Sequence, residues 1–494
     1  MIGTSTADYV FIRTCIFGIR AVTPLCMLHT AFSIARPPHS IATQILLAYT
    51  ILETAFYFLV YLPRKARLQG PAEHPPIPSR ELQSLLFQRC KETISDPAEF
   101  VRQWFLGADL KDIKWENVKD FYRWAFLNTD VEHTAHDEEL DIYVQGIEDL
   151  LGKKLEPGRG SAKCIRLTID PVKMIHRPFV WYFILGMLDS MVAILLTIHG
   201  FTYYHIPHSR FFTVFPWRFF SLFTTHTSPA NHISYWYRPH TSKTRLPVLF
   251  IHGIGVGLYP YMPFLVQLQD LDDSGDGEIG IIALEIAPLI SKITDDILPK
   301  KQMAAEIDAI VTAHGWDKFV LVSHSYGTAI SAALHHDTAM AAKIGPTLLI
   351  DPVTFLLHLP DVAYNFTARE PVDANELQLW FFAASDMGVA HVLRRHFFWT
   401  ENILWKEDIE GRDMTVSLGG KDLILNTEAV GRYVTGIDNA NWKDKQWTGK
   451  GLDVLWFPDC DHSSVFDHTE PVQKLADVVR RYARSGAKSE AMME

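Results

Sequence analysis

The chain has 494 residues, which is long enough for one large domain and a substantial extension. It is 48% hydrophobic and 12% aromatic, a composition that supports a large core and excludes an intrinsically disordered protein. The formal net charge is −11 and no block of Lys and Arg occurs, so we expect no nucleic-acid partner. The five cysteines are scattered without a CxxC pair, which predicts neither a disulfide framework nor a zinc ribbon.

Residues 1–69 are predicted to form an apolar, membrane-associated segment and its linker. The run Ile41–Leu62 has the length of a bilayer span, about 20 residues, although it contains the charged residue Glu53. The basic stretch PRKAR follows at once, and such a flank is typical of the cytoplasmic side of a membrane. We therefore expect a membrane as partner and the C-terminal domain in the cytosol. The alternative is a helical hairpin that packs within a soluble protein.

A third apolar run covers Phe179–Phe201 and has Asp189 near its middle. It could span a membrane, lie in the membrane interface or cover an apolar pocket. A span would place the segments before and after it on opposite sides of the membrane. Because we expect those segments to pack together, we predict an interfacial or lid helix.

Residues 70–245 are predicted to form a helical region with early strands. Between residues 80 and 150 apolar residues recur at spacings of three and four, as in WENVKDFYRWAFL, which indicates amphipathic helices. The segments KCIRLTI and HISYWYR are typical of strands, and we expect both to precede the main sheet.

Residues 246–494 show apolar strands that alternate with amphipathic helices. The strand-like runs are PVLFIHG, IGIIALEI, KFVLVS, TLLID, MTVSLGG and LDVLWFP. This alternation predicts an α/β fold with a mostly parallel sheet and helices on both faces. The section at about 354–412 is too long for an ordinary connection and rich in aromatic residues, which predicts a helical cap insertion over the sheet edge.

The stretch LVSHSYGTAISAAL places Ser325 between a strand and a helix of small residues. A serine at the tip of such a sharp turn is typical of a nucleophile elbow, in which small residues two before and two after let strand and helix approach. Ser323 stands where the usual pattern has its first glycine, and Gly327 occupies the second position. The alternative is an ordinary turn between a strand and a helix.

Two later strand ends supply partners for a nucleophilic serine, which needs a base within hydrogen-bond reach. His462 follows the run LDVLWFP and is the predicted base, and Asp422 follows MTVSLGG and is the predicted acid. The order Ser, Asp, His agrees with the connectivity of this elbow type. Asp351 in LLIDPV is the rival acid. The segment CDHSSVFDH lacks a second ligand pair at a usual metal spacing, so we predict no metal site there.

The glycine-rich stretch FIHGIGVG follows the first strong strand. Glycines let the backbone turn beneath a reacting carbonyl group and present N–H groups to it. We expect the backbone amides of Ile254 and Tyr326 to form an oxyanion hole. The alternative is a flexible glycine loop, and the spacing does not match a dinucleotide-binding fingerprint.

The motifs HGIGVG, SHSYG, GGKD and CDH together resemble the serine hydrolases of the α/β-hydrolase superfamily over about Leu246–Ser485. The resemblance implies that Ser325 is the nucleophile, Asp422 the acid and His462 the base. The hydrophobic N-terminal extension resembles that of membrane-associated fungal members.

These roles predict a serine hydrolase that cleaves a lipophilic ester through an acyl-enzyme, without a cofactor. Two alternatives remain: a tailoring hydrolase, thioesterase or acyltransferase of natural-product biosynthesis, and a non-catalytic binding protein on a hydrolase scaffold. A histidine base predicts that kcat/KM rises with pH through about 6 to 7.

Overall fold

The computed structural model describes residues 2–37, 39–132, 136–269 and 276–490. Its C-terminal half is built on one sheet. The strands are β1 (Thr202–Tyr204), β2 (Ser234–Arg238), β3 (Val248–Ile251), β4 (Ile281–Glu285), β5 (Phe319–His324), β6 (Ile344–Ile350), β7 (Met414–Gly419) and β8 (Leu452–Phe457). Their order in the sheet is β1-β2-β4-β3-β5-β6-β7-β8. The β1–β2 and β2–β4 pairs are antiparallel and the other pairs are parallel, which confirms the predicted sheet type.

Helices surround this sheet and make up most of the N-terminal half. They are α1 (Thr6–Ala35), α2 (Ile41–Phe56), α3 (Leu62–Arg67), α4 (Arg80–Glu92), α5 (Pro97–Trp104), α6 (Trp115–Leu127), α7 (Asp137–Leu151), α8 (Phe179–Ile198), α9 (Met262–Gln267), α10 (Lys300–Ala313), α11 (Tyr326–His336), α12 (Thr338–Lys343), α13 (Pro360–Thr367), α14 (Ala374–Leu379), α15 (Met387–His391), α16 (Trp399–Asn402), α17 (Thr427–Thr435) and α18 (Thr469–Glu490). A π-helical turn joins α2 to α3, so these two form one continuous helix. Helices α4–α7 lie in the region predicted to be helical, and α13–α16 confirm the helical cap insertion.

The sheet is covered on both faces, and its central strand β3 is apolar at every position. In β3, Leu249 and Ile251 belong to a core shared with α10 and α11, whereas Val248 and Phe250 belong to one shared with α9 and α18. All four side chains are 0% exposed. A parallel strand that is buried on both faces requires this continuous apolar run.

The two segments predicted as early strands have different outcomes. HISYWYR forms β2, as predicted. KCIRLTI is not a strand, and that prediction is wrong. The segment packs against the helices. Ile165 N–H donates to the carbonyl of Trp104 at 2.8 Å, and the side chains of Ile165 and Leu167 are buried in the aromatic cluster of α5 and α6. The alternating apolar residues therefore pack against helices.

Three described helices are long and apolar enough to cross a membrane: Thr6–Ala35, Ile41–Arg67 and Phe179–Ile198. The charge within the second helix does not face outward, because Glu53 is 0% exposed. Its carboxylate accepts hydrogen bonds from Thr23 Oγ1 of α1 and from the Phe179 N–H of α8, each at 2.6 Å. Glu53 thus joins the three apolar helices at one point.

Candidate active site

Ser325 lies in a strained turn between β5 and α11. Its backbone has φ 51° and ψ −124°, a conformation that is costly for a residue with a side chain. The turn requires Gly327, because a Cβ there would lie 2.6 Å from the carbonyl oxygen of Ile251. The buried Ser323 hydroxyl accepts a hydrogen bond from Ser331 Oγ at 2.7 Å, so serine is satisfied where the usual motif has glycine. The local geometry is that of a nucleophile elbow.

The structure brings Ser325, His462 and Asp422 into one hydrogen-bonded line. His462 Nε2 lies 2.8 Å from Ser325 Oγ, and its Nδ1 lies 2.8 Å from Asp422 Oδ2. The other carboxylate oxygen of Asp422 accepts the N–H groups of Ile424 at 2.7 Å and Leu425 at 3.0 Å. These amides hold the carboxylate so that it accepts from Nδ1–H and leaves Nε2 free to accept the serine proton.

The imidazole of His462 lies among three carboxylates. Burial lowers the pKa of His462, but the charges of Asp422, Asp351 and Asp461 and the hydrogen bond to Asp422 outweigh it and raise the pKa from 6.5 to about 9. The sequence led us to expect a value of about 6 to 7. The difference arises because the fold gathers acidic residues that are distant in the chain around one ring.

Asp351 lies beside this line but does not contact the histidine ring through a hydrogen bond. It is 0% exposed, has φ 44° and accepts the Ser463 N–H on Oδ2 at 2.8 Å. The same oxygen lies 3.5 Å from Nε2 of His324. The geometry therefore places Asp422, and not Asp351, on the histidine nitrogen that an orienting acid must reach.

A second series of buried, hydrogen-bonded polar groups lies beneath the line formed by Ser325, His462 and Asp422. The Gly253 N–H donates to Tyr261 Oη at 3.0 Å, and Tyr261 Oη lies 2.8 Å from His324 Nδ1. The tyrosine hydroxyl then donates to Nδ1, which assigns the histidine proton to the nitrogen that faces Asp351. Burial lowers the pKa of His324, which keeps this ring neutral.

This series of polar groups includes a sequence neighbour of three site residues: Gly253 precedes Ile254, His324 precedes Ser325, and Ser463 follows His462. Sequence reasoning missed Tyr261 and His324. The available signal was a histidine in an otherwise apolar strand, immediately before the serine.

The two expected oxyanion donors lie at the same cavity as Ser325. Tyr326 is the first residue of α11, where backbone N–H groups have no partner within the helix. On either side of Ile254 the amides are engaged, since Gly253 N–H donates to Tyr261 and Gly255 N–H donates to the carbonyl of Leu289 at 3.1 Å. The N–H group of Ile254 lies between these two engaged amides and is the one left to donate to an oxyanion.

A predominantly apolar cavity of about 820 Å³, including its opening to solvent, adjoins Ser325. Its wall comes from the sheet edge, from cap residues such as Phe366, Leu393 and Phe397, and from Trp104 and Trp124 of the helical region. The indole N–H groups are engaged elsewhere, because Trp104 donates to the carbonyl of His358 at 3.3 Å and Trp124 to Thr168 Oγ1 at 2.9 Å. Sequence reasoning did not assign these tryptophans to the cavity.

Two groups of described side chains bring ligand atoms within 4.8 Å of one another, as a metal ion would require. In the first, Asp351, Asp422 and His462, both ring nitrogens of the histidine already have partners. The second is Asp296, His391 and His396, where Asp296 Oδ1 lies 3.5 Å from His391 Nδ1. Burial lowers the pKa of His391 to about 4, and the charges of Arg64 and Arg395 act in the same direction. Those two cations would oppose an added metal ion.

Comparison with known proteins gives similarity of structure and none of sequence. No family model matches the chain, and no curated protein matches it. A bacterial membrane phospholipase A, described as a virulence factor, is 13% identical over 61% of this chain and 94% of its own, with a TM-score of 0.38. Naproxen esterase from Bacillus subtilis is 12% identical over 50% and 88% of the two chains, with a TM-score of 0.34.

A haloalkane dehalogenase from Bradyrhizobium elkani is 12% identical over 53% of this chain and 97% of its own, with a TM-score of 0.35. Because these TM-scores are below 0.5, the assignment of fold depends on features of this chain: the order of the eight strands, the antiparallel β2 and the strained serine turn after β5. By these features the protein has the α/β-hydrolase fold.

Proposed function

We propose that the protein is a serine hydrolase that cleaves a lipophilic ester through an acyl-enzyme. The observation that carries the proposal is the continuous line from Asp422 through His462 to Ser325, with 2.8 Å at each step. A serine hydroxyl becomes a nucleophile when a neighbouring base accepts its proton and an acid orients that base.

The arrangement supports the following reaction. Ser325 Oγ attacks the ester carbonyl carbon while His462 Nε2 takes its proton, and the amides of Ile254 and Tyr326 stabilise the resulting oxyanion. His462 then gives the proton to the alcohol oxygen, the C–O bond breaks and the alcohol leaves. Water attacks the acyl-enzyme as His462 accepts its proton, and that proton returns to Ser325 when the acid is released.

The cavity supports a lipophilic substrate. Its wall is mostly hydrocarbon and aromatic, and the polar edges of Trp104 and Trp124 are bound to other protein groups. A hydrophobic chain buried there gains about 0.8 kcal/mol for each CH₂ removed from water. We therefore assign the cavity to the apolar part of the ester.

Labelling with a fluorophosphonate probe tests the proposal without knowledge of the substrate. The wild-type protein should be labelled, and Ser325→Ala should lose both labelling and hydrolysis of a medium-chain nitrophenyl ester. Ser84→Ala is the matched control, because this exposed serine lies on α4. Full labelling of Ser325→Ala would mean that a different serine is the nucleophile.

We also propose that α1 and the continuous helix Ile41–Arg67 hold the protein in a membrane. Both are long enough to cross the hydrocarbon core. The basic flank Arg64, Lys65 and Arg67 favours the cytosolic side for the C-terminal end of the second helix. Arg64 also donates to the carbonyl of Thr294 at 2.5 Å, in the part of the chain that forms the sheet and its cap, residues 202–490, here called the hydrolase half. The hydrolase half should therefore be cytosolic.

Alkaline carbonate extraction tests the membrane attachment. It should leave the full chain in the membrane pellet, and release of the chain into the supernatant would refute the attachment.

A further inference from the structure

Helix α8 has two faces of opposite character. Six large apolar side chains on it are 40% to 73% exposed: Phe183, Ile184, Met187, Met191, Ile194 and Ile198. At about 100° of rotation per residue, all six fall within an arc of about 100°. Asp189 lies on the opposite side of the helix, among buried residues. The exposed side is therefore a continuous apolar stripe.

The buried side ties α8 to the hydrolase half. Asp189 accepts hydrogen bonds from Lys292 and, at 3.2 Å, from Arg218, which also pairs with Glu285 of β4. Before the helix, Arg177 donates to the carbonyl of Phe381 in the cap insertion. After the helix, β1 enters the sheet within four residues.

These attachments exclude a crossing of the bilayer by α8. The helix has 20 residues and is about 30 Å long, which equals the thickness of the hydrocarbon core. A crossing would put its two ends on opposite sides of the membrane and Asp189 at the centre. The same hydrolase half contacts the helix before its start, at its middle and after its end.

A loop of exposed aromatic residues continues the stripe. Its large exposed side chains are Phe212 at 75%, Trp217 at 42%, Phe219 at 60%, Leu222 at 49% and Phe223 at 87%. The loop packs on α8 where Pro216 meets Gly186, since a Cβ on that glycine would lie 3.3 Å from Pro216 Cβ. Tryptophan and other aromatic residues favour the boundary between lipid headgroups and acyl chains.

The polar groups at the edge of the stripe are satisfied within the helix. Ser190 Oγ donates to the carbonyl of Gly186 at 2.8 Å, and Thr197 Oγ1 donates to that of Ala193 at 2.7 Å. Apart from Asp189, the sequence of α8 has no charged residue. Such a surface suits hydrocarbon, in which polar groups need internal partners, and needs no anionic lipid.

We propose that the stripe of α8 and the loop 211–223, together the interfacial platform, insert into one leaflet of a phospholipid bilayer. The start of α8 lies deeper than its end, because Phe179 is bonded to Glu53, which is about 16 Å along the anchor helix from Arg64. A membrane covers this surface, and not another protein, because the first residue of α8 is bonded to Glu53 of the helix Ile41–Arg67, which is itself long enough to cross a bilayer. The platform thus adjoins the anchor. This inference extends the membrane attachment proposed above.

Depth-dependent fluorescence quenching tests the platform in the full chain. Phe183→Cys, Met191→Cys and Ile198→Cys are each labelled with an environment-sensitive dye and reconstituted into phosphatidylcholine vesicles that carry nitroxide lipids, with the signal of wild-type cysteines subtracted. Quenching that is deepest at Phe183, intermediate at Met191 and shallowest at Ile198 is the expected result. Deep quenching at Met191 with shallow quenching at the two ends would show a transmembrane helix and overturn the proposal. Absence of quenching at all three would also overturn it.

Ile142 provides a matched control, because it is a helical isoleucine with 59% exposure against 61% for Ile194. A dye at Ile142→Cys should not be quenched.

A charge substitution gives a second test. Ile194→Glu should reduce the quenching of a dye at Phe223→Cys by about half, because a charge in the acyl region is costly, whereas Ile142→Glu should not change that quenching. Equal effects of the two glutamates would contradict the platform. Fluorophosphonate labelling of the same samples reports on the hydrolase proposal separately.

Discussion

The central sheet and the N-terminal helices both have apolar sequences, but the structure buries only the sheet. Every residue of β3 is 0% exposed, whereas only 22% of the most apolar window of α1 is buried. A strand of a few residues is covered by helices from both faces, while the 30-residue helix α1 has too few neighbours in the chain to cover it. The difference indicates that the N-terminal helices need a further apolar environment and that the sheet does not.

The helical region between them belongs with the sheet. Helices α4–α7 have their own aromatic core, and Trp104 and Trp124 from that core also line the cavity at Ser325. We therefore propose that α1–α3, the anchor, attach the protein to the membrane and that the rest of the molecule carries out the hydrolysis. Changes at the site should alter catalysis and leave membrane attachment unchanged.

The largest effect is expected at the acid. Asp422→Asn should lower kcat by about 10⁴-fold, because an amide cannot hold the histidine in the tautomer that accepts the serine proton. Asp351→Asn should lower it by about tenfold, since Asp351 acts on His462 through its charge and through Ser463. Both variants should remain in the membrane pellet after carbonate extraction. Steady-state kinetics check the comparison, and a larger loss at Asp351 would move the acid to that residue.

The pH dependence should show opposite trends for activity and stability. Because neutral His462 is the base, kcat/KM should rise about tenfold per pH unit up to the raised pKa of about 9. The folded state favours the charged imidazole, so this contribution to the free energy of unfolding is complete below the unfolded pKa of 6.5 and is lost as pH rises through about 9. Rate profiles and thermal unfolding at about pH 6 to 10 measure both trends. A rate that is constant above about pH 7 would contradict the raised pKa.

The cavity should set chain-length preference. Ala363 lines it from α13, in the same buried cluster as Trp104 and Trp124, and is 8% exposed. Ala363→Leu should reduce kcat/KM for a long-chain ester by about tenfold relative to an acetyl ester, because the added methylenes occupy the space for the chain. Ala339→Leu on the exposed side of α12 is the control. An unchanged ratio of the two esters would place the apolar part of the substrate elsewhere.

The smallest effect is expected at the unusual residue of the elbow. Ser323→Gly restores the common motif but leaves the buried Ser331 hydroxyl without its 2.7 Å partner. We expect a loss of about 1 kcal/mol in the free energy of unfolding, with kcat changed by less than about threefold. Denaturant unfolding and kinetics measure the two quantities. A gain in stability would show that the hydrogen bond to Ser331 contributes nothing.

The sequence alone determined the parts of this protein that depend on local pattern. Apolar runs predicted strands β3 to β8, and periodic apolar residues predicted the flanking helices. A serine, an aspartate and a histidine that follow β5, β7 and β8 predicted the line that the structure forms. Each of these signals lies within a few residues of chain, where backbone geometry and side-chain period are set.

Only the tertiary structure decided which distant groups meet. It packed KCIRLTI against helices instead of into a strand, brought Tyr261 and His324 beneath the elbow and gathered three carboxylates around His462. It also decided that Asp189 faces inward to Lys292, which leaves the other side of α8 exposed. An apolar run has the same composition whether it packs in a core, crosses a bilayer or lies on one. The neighbours that distinguish these environments come from other parts of the chain, and local pattern does not specify them.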